Sequence, residues 1–337
     1  MLRLPQFRFV PARTLEEAAS VLAGEGDVRL VAGGTDLWPN MKRRHQKAQT
    51  VVSLMGIPGL RGVNVNGEIR IGATTTLDQI ERHAAIQDRY PAFARAVASI
   101  SSPPLRNMGT IGGNVCVDTR CTYYNQTEDW RRSISYCMKA EGETCWVATS
   151  SPRCLAHTAS DSAPMLCALG ARVRLVSAEG DRVIPIEALY HDDGIQYLAK
   201  RPDEIVAEIL LPAESDAAHC RSAFWKLRRR GSIDFAVLSA AAAVRTDPSG
   251  VVTDARIYLG AVASYPVPAT AAASFLVGKT LTAETVAEAA RLARKEATPF
   301  DNTDFQPQWR NVMVERYAEA ALREVAGLPQ ERLGPKM

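Results

Sequence analysis

No stretch of this chain is apolar for long enough to cross a bilayer. The longest strongly apolar run, Phe235 to Val244, falls far short of the roughly 20 residues a spanning helix needs. The N-terminus, Met1-Leu2-Arg3-Leu4-Pro5, lacks the charged, apolar, small-residue order of a secretory signal, so a cytoplasmic protein without a membrane partner is expected. Charge of one sign is also missing. The net charge is +3 over 337 residues, and basic residues are scattered apart from Lys42-Arg43-Arg44 and Arg228-Arg229-Arg230, which gives nucleic-acid binding little support. There is no internal repeat, no low-complexity segment and no Cys-x-x-Cys pair. His45, His83, His157, His191 and His219 form no ligand spacing, and no Ser/His/Asp order stands out. Surface or capping roles suit all five, with His157 near enough to Cys154 in sequence to be a minor candidate contact. No catalytic residue is therefore assigned.

What remains is a globular chain, 46% hydrophobic and 23% charged, with room for two or three cores. Seven cysteines in a reducing compartment point to ligands or buried thiols rather than disulfides, with Cys116, Cys167 and Cys220 as the buried ones. The other four, Cys121, Cys137, Cys145 and Cys154, sit in a segment rich in Tyr and Trp but poor in aliphatic side chains. Burial alone orders such a segment poorly, so thiolates around a metal or cluster are the candidate. Their gaps of 15, 7 and 8 residues leave an iron-sulfur cluster, a zinc ion and no metal all open.

Along the chain, Phe7 to Val10 alternates as a strand, Thr14 to Glu17 reads as a capping box, and Val28 to Ala32 is a buried strand running into Gly33-Gly34-Thr35-Asp36. A helical segment to Arg44 and a strand at Thr50 to Leu54 complete a small parallel α/β unit over residues 1–55. From residue 56 to 215 a second unit is expected, with helices capped by Thr76 and spanning Ala92 to Ile100. The cysteine insert occupies 115–158 of it, and an antiparallel meander includes Val173, Leu175 and Glu204 to Leu211. A boundary falls at Glu214-Ser215-Asp216. Residues 216–328 then read as three strands (Ser222 to Leu227, Ala236 to Val244, Ala255 to Val262) and two helices (Thr282 to Ala297, Gln308 to Ala326), with 329–337 a tail.

Two glycine pairs carry the chemistry. Gly33-Gly34, after a buried strand, lets backbone N–H groups approach an anion, and Gly112-Gly113, between Thr110 and Asn114, could clamp the other side of a dinucleotide. Neither is a G-x-G-x-x-G run, and a tight turn without ligand remains an alternative for the first. Asp161 suits a ribityl or ribose hydroxyl, or equally a helix cap.

The segments Leu30-Val31-Ala32-Gly33-Gly34-Thr35-Asp36, Arg106-Asn107-Met108-Gly109-Thr110-Ile111-Gly112-Gly113-Asn114 and Ser160-Asp161-Ser162-Ala163-Pro164, with Phe224-Trp225-Lys226 and Ser232 to Ala236, resemble the FAD-binding medium subunits of molybdenum hydroxylases over nearly the whole chain. The resemblance implies an α+β fold. It would have an FAD-binding domain of the PCMH/vanillyl-alcohol-oxidase type, made of a small α/β subdomain and an antiparallel-sheet subdomain, and a C-terminal α+β domain. It also implies FAD contacts from Arg29, Leu30, Val31, Ala32, Gly33, Gly34, Thr35, Asp36, Ser101, Thr110, Ile111, Gly112, Gly113, Asn114, Asp161 and Lys226, with Ile100 a weaker candidate.

The forty-six residues between Asn114 and Asp161 depart from that pattern and, with Cys121-Thr122-Tyr123-Tyr124-Asn125, resemble the β subunits of 4-hydroxybenzoyl-CoA reductases. That likeness implies a [4Fe-4S] cluster on Cys121, Cys137, Cys145 and Cys154. It implies electron flow from ferredoxin through the cluster and FAD to a small [2Fe-2S] subunit and a large molybdenum subunit, in a dimer of heterotrimers. A hydroxylase-type medium subunit passing electrons outward and a zinc-stabilised scaffold without redox function are the alternatives. The insert is expected to project from an otherwise complete flavin domain, which would make the two cofactor sites separable.

Overall fold

In a computed structural model, residues 2–24, 26–213, 220–331 and 333 are described. The chain opens with strands β1 (Arg8–Pro11), β2 (Val28–Val31) and β3 (Thr50–Ser53) in a parallel sheet ordered β1-β3-β2, as the strand-helix-strand alternation predicts. Val51 and Val52 of the central strand are both buried because helices cover both faces. Thr14 caps the helix Leu15–Leu22 by accepting the Glu17 N–H. The expected box closes one residue early: the Glu17 carboxylate takes the N–H of Arg13, at 2.7 Å, and not that of Thr14. The Thr76 box is complete, with Gln79 as its partner.

The second sheet joins β4 (Val63–Asn64), β5 (Glu68–Gly72), β6 (Arg172–Ser177), β7 (Gly180–Pro185) and β8 (Ile205–Ala213). It is antiparallel as expected but is not a meander. Its order is β4-β5-β8-β6-β7, so β8 runs down the middle, between strands a hundred residues apart in sequence. The helix Ser162–Ala168, all seven of its residues buried, shares the core of this sheet and packs against the strands of the C-terminal one.

The C-terminal sheet is β12-β11-β10-β9, from β9 (Cys220–Leu227), β10 (Leu238–Thr246), β11 (Val252–Gly260) and a short fourth strand, β12 (Val267–Pro268), that the sequence reading did not include. Strand β10 explains its own apolar run. Ala240 and Ala242 face the core built with helices Ala283–Glu296 and Pro307–Ala326, while Ala241 and Ala243 face the core of the second sheet. A strand covered on both sides reads as continuously apolar, and alanine lets both layers approach. The polar boundary at Glu214-Ser215-Asp216, His219 and most of the tail lie outside the described residues. Of the three other cysteines, Cys167 is buried as expected, whereas Cys116 and Cys220 are only partly so.

An antiparallel bridge between Arg120 and His157, with two N–H···O bonds of 2.8 Å, closes the neck of the cysteine insert. Inside the insert the one regular helix is Glu128–Ser133, capped by Thr127. Among the described residues no helix is long and apolar enough to cross a membrane.

Candidate functional site

A cleft of about 610 Å³ opens between β2, the two glycine loops and the start of the insert. Arg29, Leu30, Val31, Ala32, Gly33, Gly34, Thr35 and Asp36 all line it, as do Ile100, Ser101, Thr110, Gly112, Gly113 and Asn114. Ile111 does not: its side chain is fully buried in the core of the second sheet. Asp161 and Lys226 are not among its lining residues and form a buried ion pair.

The two loops touch through backbone. A Cβ on Gly33 would overlap the carbonyl oxygen of Met108 and stand 2.5 Å from its carbonyl carbon, and one on Gly112 would stand 2.7 Å from the Cβ of Ala73. A Cβ on Gly113 would meet only the Thr110 hydroxyl, at 3.1 Å. The loops differ in what they offer a ligand. In the second, the N–H groups of Ile111, Gly112, Gly113 and Asn114 are already given to Thr75 O, Ala73 O, Thr110 Oγ1 and Thr110 O. In the first, the N–H groups of Gly33, Gly34, Thr35 and Asp36 have no acceptor among the described residues. Four successive free donors at a turn leading into a helix form a nest arranged to receive an anion, whereas the second loop has only a close-fitting backbone wall to offer. Sequence reasoning had given both loops the same role.

Charge around the nest is balanced. Burial raises the Asp36 carboxyl above the usual range, against the Arg120 guanidinium, which forms an ion pair with it. Arg120 also reaches Asn40 at 3.4 Å and lies 4.8 Å above the ring of Phe235, another wall residue. Asn114 Oδ1 accepts from the hydroxyls of Ser160 and Ser162, at 3.0 and 2.6 Å, and so ties the second loop to the segment that carries Asp161. Asp161 and Lys226 form a buried pair at 2.6 Å. The Lys226 ammonium also donates to the carbonyls of Ser99 and Asp234, at 3.0 and 2.9 Å, so its three hydrogens are taken. Asp161 Oδ1, by contrast, is buried without a partner. Burial pushes this carboxyl up and the neighbouring ammonium opposes the shift. Ser101, on the wall, holds a left-handed φ of 49°, and its carbonyl accepts from Ile233, itself at φ 63°. Two non-glycine residues in that region mark strain beside the cleft.

The insert does not project free. Cys121, Cys137 and Cys154 share one buried cluster with Tyr124 and Ala156. Cys145 is buried too and lies close enough to Cys154 to act on it electrostatically. Burial pushes the Cys121 thiol up to about 12 and that of Cys154 up to about 11. Among the described residues no three His, Cys, Asp or Glu groups draw together to hold a metal, so neither the expected cluster nor a zinc site is borne out. His157 is buried, with its Nδ1 2.9 Å from the Thr158 carbonyl. His45 is no surface histidine either: its Nε2 lies 3.1 Å from Gln126 O and its ring sits against that of Tyr124, centroids 4.9 Å apart and planes tilted by 44°. Wall residues that sequence reasoning missed include Gln46, Asp118, Tyr197, Lys200 and Phe235. Phe235 lies in the Ser232 to Ala236 segment that carried the resemblance; the other four lie in no motif, and only the fold brings them to the loops.

Comparison with known proteins agrees with this geometry. Residues 5–214 match the profile of the FAD binding domain in molybdopterin dehydrogenase, and residues 222–325 that of the CO dehydrogenase flavoprotein C-terminal domain. The nicotinate dehydrogenase FAD-subunit of Eubacterium barkeri is 31% identical over 287 residues, 84% of this chain and 83% of that protein. The carbon monoxide dehydrogenase medium chain of Hydrogenophaga pseudoflava is 27% identical over 323 residues, covering 94% of this chain and 97% of its own. A solved carbon monoxide dehydrogenase from the same organism superposes with a TM-score of 0.79 at 26% identity, over 96% of this chain and 99% of that one.

Proposed function

The chain belongs to the FAD-binding medium subunits of the molybdenum hydroxylases, the xanthine and carbon monoxide dehydrogenase type, and from that premise we propose how its residues hold FAD and what the insert adds. The observation that carries the reading is the pair of unequal loops. The free N–H groups of Gly33 to Asp36 would bind the pyrophosphate, and Gly112 and Gly113 would let it lie against backbone. The unpartnered Asp161 Oδ1 would accept a ribityl hydroxyl, held in place by Lys226. Arg120 neutralises Asp36, so the nest is not repelled by its own last residue. Bound there, FAD supplies exchange of one or two electrons, and the chain's part is to position it between partner subunits. The partners proposed are a large subunit with the molybdenum cofactor and a small [2Fe-2S] subunit, in the cytoplasm.

The relatives favour a hydroxylase-type enzyme in which electrons pass outward to an acceptor. One observation favours a second reading. Four buried thiols in one insert, three of them in one buried cluster, would be the ligands of a [4Fe-4S] cluster in the β subunit of a 4-hydroxybenzoyl-CoA reductase, in which electrons from ferredoxin enter on the insert side. Metal analysis of the purified chain separates the two. About four irons per chain supports the insert reading, about one zinc a structural ion, and neither leaves the hydroxylase type alone.

A further inference from the structure

A second cavity, of about 340 Å³, opens at the seam between the second sheet and the C-terminal sheet. Strand register decides what lines it. On β10, Arg245 continues the face of Ala241 and Ala243 that the second sheet covers, so the apolar run ends in a cation at the edge of the covered zone. Across the strand pair, Asp254 stands opposite Arg245 and Arg256 opposite Ala243, which makes Arg256 a diagonal neighbour of Arg245 within reach of a long side chain. Cys220 of β9 stands opposite Arg245 on the other side. The second sheet supplies the facing wall with Arg172 and Glu68, an ion pair at 2.6 Å.

Charge in this cavity is not balanced: three guanidinium groups meet two carboxylates. Arg172 is answered by Glu68, but Arg245 forms no ion pair among the described residues and instead reaches the Cys220 thiol, which burial raises and so keeps uncharged. Asp254 comes no nearer to Arg256 than 3.8 Å, too far for a hydrogen bond. Arg256 is nevertheless held in place, pressed so closely on Gly170 that a Cβ there would stand 2.5 Å from Arg256 Nη1. We propose that this cavity binds a small organic dianion, a phosphate monoester or a dicarboxylate, with its charged head between Arg245 and Arg256 and its carbon frame against Ala168, Pro212 and Ala213. The planar guanidinium fork matches the paired oxygens of either head group, and two forks on neighbouring strands offer more donors than one surface arginine. The Arg256 side chain is 44% exposed, so the anion enters without opening the fold, and salt screening holds the affinity near the millimolar range. The cavity shares no lining residue with the flavin cleft, so the site is independent of FAD. A ligand there would tie the two sheets together and stabilise the folded chain by mass action.

The test is calorimetric titration of the FAD-loaded chain with inorganic phosphate and, separately, with succinate at constant ionic strength. One of the two should bind saturably at about one per chain, with a Kd of about 1 mM or tighter, and raise the melting temperature; the tighter of them names the head group. Arg245→Gln and Arg256→Gln should each weaken that binding about tenfold or more and leave FAD content unchanged. Both arginines lie outside the flavin cleft, so their loss distinguishes this cavity from the nest at Gly33 to Asp36. Should a glutamine variant fail to fold, protection of Arg245 and Arg256 from phenylglyoxal by the bound anion, read by peptide mass spectrometry on the wild type, decides in its place. No saturable binding of either anion, binding that both glutamine variants retain at wild-type strength, or no protection of the two arginines would overturn the proposal.

Discussion

Gly33→Ala is the smallest change that tests whether the two loops must touch. The new methyl carbon would overlap the Met108 carbonyl oxygen and stand 2.5 Å from the carbonyl carbon, where apolar contact needs about 3.5 Å, so the loops must part by more than about 1 Å. Neither side yields easily, since the obstacle is backbone and Gly109, next to Met108, is held by N–H and carbonyl bonds to Leu105 and Leu77. Overpacking of this kind costs about 1–3 kcal/mol, and the parted loops move the nest away from the opposite wall. FAD affinity should therefore fall roughly 5- to 150-fold, read by fluorescence titration of flavin-free protein, with a lowered melting temperature. Gly113→Ala is the control, because its methyl meets only the Thr110 hydroxyl and should leave stability within about 0.5 kcal/mol of wild type. Wild-type FAD affinity and melting temperature in Gly33→Ala would refute the backbone contact.

If the thiols hold iron as proposed, Cys137→Ser should remove it and also weaken FAD binding roughly fivefold or more, because Arg120 and Asp118 tie the insert to Asp36 and Gln46 of the cleft wall. Unchanged FAD affinity in an iron-free variant would restore the picture of a detachable insert. Acid should loosen the neck of the insert. Burial, with Arg310 nearby, lowers His157 from 6.5 to about 3, and burial lowers His45 to about 4. A base depressed in the folded state leaves stability complete above 6.5 and lost as pH falls, since the unfolded chain takes the proton first. His157 contributes at most about 1.4 kcal/mol per pH unit below 6.5, and the half-buried His45 less. Urea midpoints at about pH 7.5 and 5.5 should differ accordingly, and a His157→Asn variant with the same slope would contradict the assignment.

The parallel unit was legible because each element carries its own signal: alternation at Phe7 to Val10, the Thr14 cap, and glycines after a buried strand. The position of β8 was not, since alternation identifies a strand but not its neighbours. The same limit explains the loops. Gly112-Gly113 looks as able to bind phosphate as Gly33-Gly34, and only the fold shows its N–H groups spent on Ala73, Thr75 and Thr110. Asp161 was readable as a hydroxyl partner or a helix cap and Lys226 came only from resemblance to a family; the structure adds that one oxygen of Asp161 is unpartnered and that Lys226 is saturated. Gln46, Asp118 and Tyr197 lie in no motif, and their meeting on the cleft wall depends on contacts far apart in sequence.

The most direct test of the flavin assignment is titration of flavin-free chain with FAD and, separately, with riboflavin, which has no phosphate. If the free N–H groups of Gly33 to Asp36 hold a pyrophosphate, FAD should bind at about one per chain and riboflavin at least about a hundredfold more weakly, a gap of about 2.7 kcal/mol. Equal affinity for the two, or no FAD bound, would contradict the assignment.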